Sequence, residues 1–269
     1  MFESNSFSHV LKFTTMTTAT WPRPNFILRG FLLTFILILG ACGSQQIKIA
    51  EKTEEGVRVP LVSTAEFIPV QKVDKDGLPV AYKVKENPYL AKRSRVKKES
   101  VNQFIQAKRY LKTNDERGAR DVLSSIIEND KRVSGPHVLL GDLELQAGEL
   151  ENAISHYERA LAVNSRNVNA YLKLAEARRQ HGDYGIAQNV YAKALAVWPD
   201  FPEAHLNLGV LYDVYLNQPE KAQRHIEAFL FLVGGNDSQA HDYLVEIMSR
   251  TELEPRLEVN TPLLFVNES

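Results

Sequence analysis

Residues 168–201, "VNAYLKLAEARRQHGDYGIAQNVYAKALAVWPDF" read from Val168 to Phe201, decide the fold. Within this stretch Leu174, Ala175 and Arg178, and then Ala187, Tyr191 and Ala194, fall at i, i+3, i+4 and i+7 steps, so each half is a helix with an apolar stripe. Gly182 lies between them, where a left-handed cap costs glycine least. Pro199 and Pro202 stop the second helix and restart the chain. Neither stripe is buried by one helix alone. Small residues allow two antiparallel helices to approach, and the tyrosine and leucines fill the space between one pair and the next.

The same pattern recurs outward from this stretch. Ala119, Ala153 and Ala187 stand 34 residues apart. Leu140, Leu174 and Leu208 share an offset, as do Gly141, Ala175 and Gly209, Gly148 and Gly182, Tyr157 and Tyr191, and Ala160 and Ala194. Agreement at so many positions marks an internal repeat. The residues resemble the tetratricopeptide repeat, whose helix-turn-helix units have this period. The resemblance implies an all-α fold, a right-handed α-solenoid with a capping helix, and the residues upstream of it read as a signal peptide and a partly extended tether.

Three clear repeats run over 134–167, 168–201 and 202–236, with a degenerate unit or N-terminal cap over 100–133. Ala222 follows Ala187 by 35 residues, which places one extra residue in the turn Leu216-Asn217-Gln218-Pro219. Phe229 stands where earlier repeats have Ala160 and Ala194, as suits an end of the stack. Residues 237–250 form an amphipathic capping helix, because a solenoid end needs a polar outer face. The tail over 251–269 contains Pro255 and Pro262 and is read as flexible, with Leu263-Leu264-Phe265-Val266 able to fold back on the array.

Upstream, "FLLTFILILGA" follows Arg23 and Arg29 and runs into Cys42, the order of a secretory signal. Twelve residues separate Arg29 from Cys42, too few to span about 30 Å of hydrocarbon. Leu39-Gly40-Ala41-Cys42 resembles a bacterial lipobox, which implies a signal peptide over 1–41 and lipid attachment at Cys42. The alternative is an uncleaved anchor helix with an incidental cysteine. Met16 is a second candidate start that gives a signal of ordinary length. Gly43 follows the cysteine where aspartate favours inner-membrane retention, so the resemblance implies the outer membrane, facing the periplasm. Cys42 is the single cysteine, which excludes intramolecular disulfides.

The chain has 269 residues and a formal net charge of −1; removal of 1–41 shifts it to −3. No strong charge recommends nucleic acid. Residues 42–99 read as a tether in which "EFIPVQKV" and "GLPVAYKV" flank the turn Asp74-Lys75-Asp76-Gly77, a β-hairpin pattern that needs a neighbour or partner for stability. Lys92, Arg93, Arg95, Lys97 and Lys98 then form a basic cluster. It is either a solvated linker or a contact for lipid headgroups or peptidoglycan.

No nucleophile, phosphate-loop or metal motif is present. The chain is therefore read as non-catalytic, with no cofactor and no metal, and a small-molecule substrate is not expected. His137 and His205 share a repeat step and read as structural, and His156, His181, His225 and His241 are placed on turns or outer faces. In the resembled family the first helix of each repeat lines a concave groove. The matching rows here are Phe104, Val138, Leu172 and Leu206; then Lys108, Asp142, Glu176 and Val210; then Leu111, Leu145, Arg179 and Asp213. The first row is apolar throughout. It is either an anchor stripe for a protein or peptide ligand or half-buried core. Carboxylate-clamp repeats carry lysine and asparagine in the first two rows, and Val138, Leu172, Asp142 and Glu176 contradict that use.

The function this implies is a membrane-anchored adaptor or assembly factor of the bacterial envelope, similar in outline to pilotin-type pilus-assembly lipoproteins. The alternative is an envelope accessory that touches peptidoglycan or lipid through its basic segment and uses the repeats to oligomerise.

Overall fold

A computed structural model describes residues 59–90, 96–257 and 263–265. The signal segment, Cys42, and Lys92, Arg93 and Arg95 lie outside the described residues. Among those described are nine α-helices in chain order: α1 Lys98–Lys112, α2 Glu116–Asn129, α3 Gly135–Gln146, α4 Leu150–Val163, α5 Val168–His181, α6 Tyr184–Val197, α7 Pro202–Val210, α8 Pro219–Leu232 and α9 Ser238–Thr251. Each packs on its sequence neighbours, so α1/α2, α3/α4, α5/α6 and α7/α8 are helical hairpins stacked in order, with α9 laid on α8. None of these helices is long and apolar enough to cross a membrane.

The packing follows from the repeated residue types. Ala107, Ala119, Ala153, Ala175, Ala187 and Ala194 have no exposed surface, and Tyr157 and Tyr191 are likewise fully buried between hairpins. Close approach is strictest at Gly141 and Gly209, where an added Cβ would stand 2.5 Å from the Tyr157 ring and 2.6 Å from the Ile226 side chain. The terminal units carry Ile126 and Phe229 at the step of Ala160 and Ala194, and all four are fully buried. The bulk of Phe229 is therefore enclosed, with α9 packed on its helix, rather than left at an open end.

Every hairpin turn reverses through a residue with positive φ: Asn114 at 58°, Gly148 at 82°, Gly182 at 92° and Asn217 at 50°. Glycine adopts this conformation freely and asparagine is the next most tolerant. Asn217 follows Gly182 by 35 residues, so the extra residue lies before the turn and not in it. A π-helical turn over Leu211–Tyr215 absorbs it, closed by Leu216 N–H donating to the Leu211 carbonyl at 3.1 Å. Side-chain caps hold the starts of α2, α5 and α9, where Asp115, Asn167 and Asp237 accept from Gly118, Ala170 and Ala240. Buried Asn167 also donates to Ser134 Oγ at 3.0 Å, tying one repeat start to the next.

The segment upstream of α1 differs from the hairpin reading. Asp74–Gly77 does turn, with Asp74 N–H donating to the Leu78 carbonyl at 2.8 Å and Gly77 at φ 78°. The flanking runs, however, meet only at one antiparallel bridge, Val73 with Pro79, and Ala65–Phe67 is a 3-10 turn. Strand β1, Tyr82–Val84, instead pairs in parallel with β2, Leu263–Phe265, in the register Tyr82 to Leu263. The C-terminal tail thus folds back on the array. Leu257 joins Ala228, Phe231 and Leu232 of α8 in a second core, covered by Ile68, Tyr82 and Leu263. The segment docks mainly against second helices and the turn before α7. Buried Asp200 accepts from Tyr82 OH at 2.9 Å and from Lys85 N–H at 2.6 Å, while Trp198 Nε1 donates to the Lys85 carbonyl at 2.7 Å.

Candidate functional site: the first-helix rows

The helices α1, α3, α5 and α7 carry the rows at the repeat period, except that Asp213 of the third row stands on the π-helical turn that follows α7. In the first row Val138 and Leu172 are half-buried. Phe104 is half-buried too, but it packs against the core of α1 to α3. Leu206 is 4% exposed and belongs to the core, so the stripe of four is reduced at its C-terminal end. Leu111 also packs in the core cluster, and Leu145 is half-buried.

The polar members are engaged with one another or with neighbouring helices. Asp142 accepts from Tyr157 OH at 2.8 Å. Burial pushes its carboxyl up, with Lys173 and the Tyr157 bond opposing and Glu176 adding to the shift. Lys173 donates to Glu176 at 3.3 Å. Burial works against charge on Lys173, but Glu176 and Asp142 outweigh it and raise its pKa. Arg179 donates to Tyr215 OH at 2.9 Å and lies 5.4 Å from that ring's centroid. Asp213 is the anchor of the capping helix: it accepts from Arg250 at 2.9 and 3.0 Å and from Tyr243 OH at 2.7 Å. Lys108 is exposed and Val210 half-buried. Buried in the same region, the Tyr191 hydroxyl and the Asn207 amide nitrogen find no partner among the described residues.

Of the basic cluster, Lys97 and Lys98 are described and exposed, and Lys97 Nζ donates to the Asn129 carbonyl at 3.1 Å. The histidines divide differently from the sequence reading. His205 is buried and structural, but His225 is buried too, 2% exposed, and bonded to it. His156 is half-buried with its ring 6.0 Å from that of His137. Among the described residues no group of three or more His, Cys, Asp or Glu is placed to hold a metal ion.

Sequence reasoning missed Thr64, Gln188, Asn189, Asp200 and His225. A signal existed at two of them. Gln188 occupies the step of Ile154, and His225 that of the buried Val190, so each is a polar residue at an apolar step.

Stacked helical hairpins with paired polar rows on their first helices define an α-solenoid, a class whose extended faces bind other chains. Models of the tetratricopeptide repeat match residues 141–182 and 172–214, so that repeat is found over this stretch of the chain. Proteins with this repeat are generally adaptors for protein interactions, and the fold is typically a non-catalytic scaffold. Among solved structures, PilF of Pseudomonas aeruginosa is similar with a TM-score of 0.51 at 19% identity, over 57% of this chain and 69% of that one. A tetratricopeptide repeat protein of Parabacteroides merdae is similar with a TM-score of 0.49 at 19% identity, over 58% and 62%. Superkiller protein 3 of Schizosaccharomyces pombe is 35% identical over 77 residues, which are 27% of this chain. The match spans only 6% of that relative's length. These structural likenesses speak to the fold alone.

Proposed function

We propose that the protein is a non-catalytic scaffold, lipidated at Cys42 and held at the outer membrane facing the periplasm, where its first-helix face takes a protein or peptide ligand. The observation that carries the binding reading is the contrast within the rows. Asp142, Glu176, Arg179 and Asp213 already have partners, whereas Val138 and Leu172, one repeat apart, keep part of their apolar surface in solvent. A ligand with two apolar anchors at that spacing buries surface there without breaking a polar pair. The lipobox-like Leu39-Gly40-Ala41-Cys42 supports the anchor. Tethering raises the effective concentration near a membrane-bound partner, so a shallow site is sufficient.

Photocrosslinking in the native host, with the reactive group at Val138 or Leu172, tests the site. An adduct from these positions that is lost on Leu172→Asp supports it, and adducts only from second-helix positions overturn it. Palmitate labelling abolished by Cys42→Ser supports the anchor; labelling that persists overturns it.

A further inference from the structure

The backbone of Pro60–Val62 is held in the manner of a bound peptide. Asn189, on the second helix α6, donates from Nδ2 to the Pro60 carbonyl at 3.0 Å and accepts from Val62 N–H at 2.9 Å. Its neighbour Gln188 donates from Nε2 to the Val62 carbonyl at 2.9 Å. Two adjacent amide side chains thus satisfy three backbone groups of an extended segment, contacts indifferent to that segment's side chains.

Two residues on, Thr64 is read by its hydroxyl. It lies 2.9 Å from His225 Nε2 and 3.0 Å from Tyr212 OH, and Tyr212 OH is 3.0 Å from Gln188 Nε2. His225 Nδ1 is 2.9 Å from His205 Nδ1, and His205 Nε2 is 2.8 Å from the Pro199 carbonyl. The carbonyl only accepts, so His205 carries its proton on Nε2 and offers Nδ1 as an acceptor. His225 then donates from Nδ1 and accepts at Nε2, which requires the Thr64 hydroxyl to donate. Tyr212 in turn donates to Thr64 and accepts from Gln188. With both histidines neutral, one proton arrangement satisfies every ring nitrogen and hydroxyl of the chain, and it demands a hydroxyl at position 64.

Thr64 is 3% exposed, but the rest of the segment is poorly buried. Leu61 and Val62 are 36% and 49% exposed, and Ser63 is exposed. A pocket of about 480 Å³, open to solvent, adjoins it and α8, lined by Ile68, Lys221, Arg224, His225 and Arg256 among others. Apolar side chains left in solvent beside an open pocket are the features of a segment that opens locally.

We infer that the face formed by Gln188, Asn189, Tyr212 and His225 is a second peptide-binding site, apart from the first-helix rows, and that residues 60–64 fill it in cis as a displaceable occupant. Its ligand in trans is an extended segment that offers backbone groups to Gln188 and Asn189 and a serine or threonine hydroxyl two residues later.

The test uses the full chain and a fluorescent peptide of residues 58–68. Hydrogen exchange of the wild-type protein should show amides 61–66 opening locally, well before those of α6. In Thr64→Val protein the cis occupant loses its donor to His225, so the peptide should bind roughly tenfold tighter than to wild type. Asn189→Ala in that background should abolish the binding. Protection of 61–66 equal to that of α6 overturns the inference, as does a peptide that fails to bind folded Thr64→Val protein or that binds equally well without Asn189. If Thr64→Val protein loses its helical signal, the wild-type exchange result decides.

Discussion

Tyr157 donates its hydroxyl to Asp142 at 2.8 Å, while Tyr191, its counterpart one repeat later, is fully buried with its hydroxyl unpaired among the described residues. The ring of Tyr157 rests where a side chain at Gly141 would stand, and in the next repeat Ala175 fills that place. One repeat step therefore holds the same residue type in two energetic states. Tyr157→Phe removes a donor from a largely desolvated carboxylate and should cost about 1.5–3 kcal/mol. Tyr191→Phe removes an unsatisfied group and should be neutral or stabilising. Urea unfolding of the two variants side by side measures the difference.

The raised pKa of Asp142 sets a pH dependence of definite sign. A folded-state carboxyl with a higher pKa than in the unfolded chain is less stabilising when ionised, so its penalty is absent below the unfolded value of about 4 and complete above the folded value. Asp142→Asn keeps an acceptor for Tyr157 and removes the penalty. The variant should unfold at higher urea than wild type at pH 7, and the gain should shrink as pH falls through the carboxylate range.

The helices, their order and the close-packed steps were legible because each is written several times at one spacing: Gly141 and Gly209, Tyr157 and Tyr191, Gly148 and Gly182. What is written once was not. The spacing from Ala187 to Ala222 announced an extra residue, but a loop and a π-turn absorb it equally well in sequence, and only the left-handed Asn217 separates them. The docking of residues 59–90 rests in part on paired polar contacts to Asn189 and Asp200, which have no period to reveal them. The pairing of β1 with β2 joins segments 181 residues apart at Tyr82 and Leu263, beyond any local pattern. In the first row, Leu206 and Leu172 are the same residue at the same step, yet one is core and the other half-exposed.

Acid should weaken the protein through its histidine pair. Burial holds His205 down at about 4, and burial, His205 and Lys221 push His225 well below its usual range. Arg224 and Glu220 of α8 also line the adjoining cavity. Folded-state values below the unfolded 6.5 mean that the unfolded chain binds more protons, so stability falls as pH drops from about 6.5 toward 4. For His205 alone the loss amounts to about 3 kcal/mol. Unfolding midpoints between pH 7.5 and 4.5 should fall steeply in wild type and less steeply in His205→Asn.

Removal of Asp200 should free the strand and the tail together. Its carboxylate satisfies Tyr82 OH and Lys85 N–H, and Asp200→Ala removes both bonds from partly exposed donors, at a cost of about 1 kcal/mol for each. Asp200→Asn should restore most of the loss, because its Oδ1 accepts from Lys85 N–H while its Nδ2 donates to the Tyr82 hydroxyl, which accepts as well as donates. Trypsin should cut Asp200→Ala protein at Lys83 and Lys85 under conditions where the wild type resists, and the same preparation should show faster exchange at Leu257.

Asp213 falls in the third groove row but serves the cap, and the two roles make opposite predictions. If its bonds to Arg250 and Tyr243 fix α9 on the stack, Asp213→Ala should lower stability by about 2 kcal/mol, the scale of lost hydrogen bonds to a charged group. Hydrogen exchange should quicken first in Ser238–Thr251, with α3 and α5 unaffected. Ligand capture from Val138 or Leu172 should persist, since neither residue lies on the cap. Loss of capture with α9 still protected would instead place Asp213 in the ligand contact, and Tyr243→Phe, which spares the carboxylate, separates the two cases by lowering stability without touching capture.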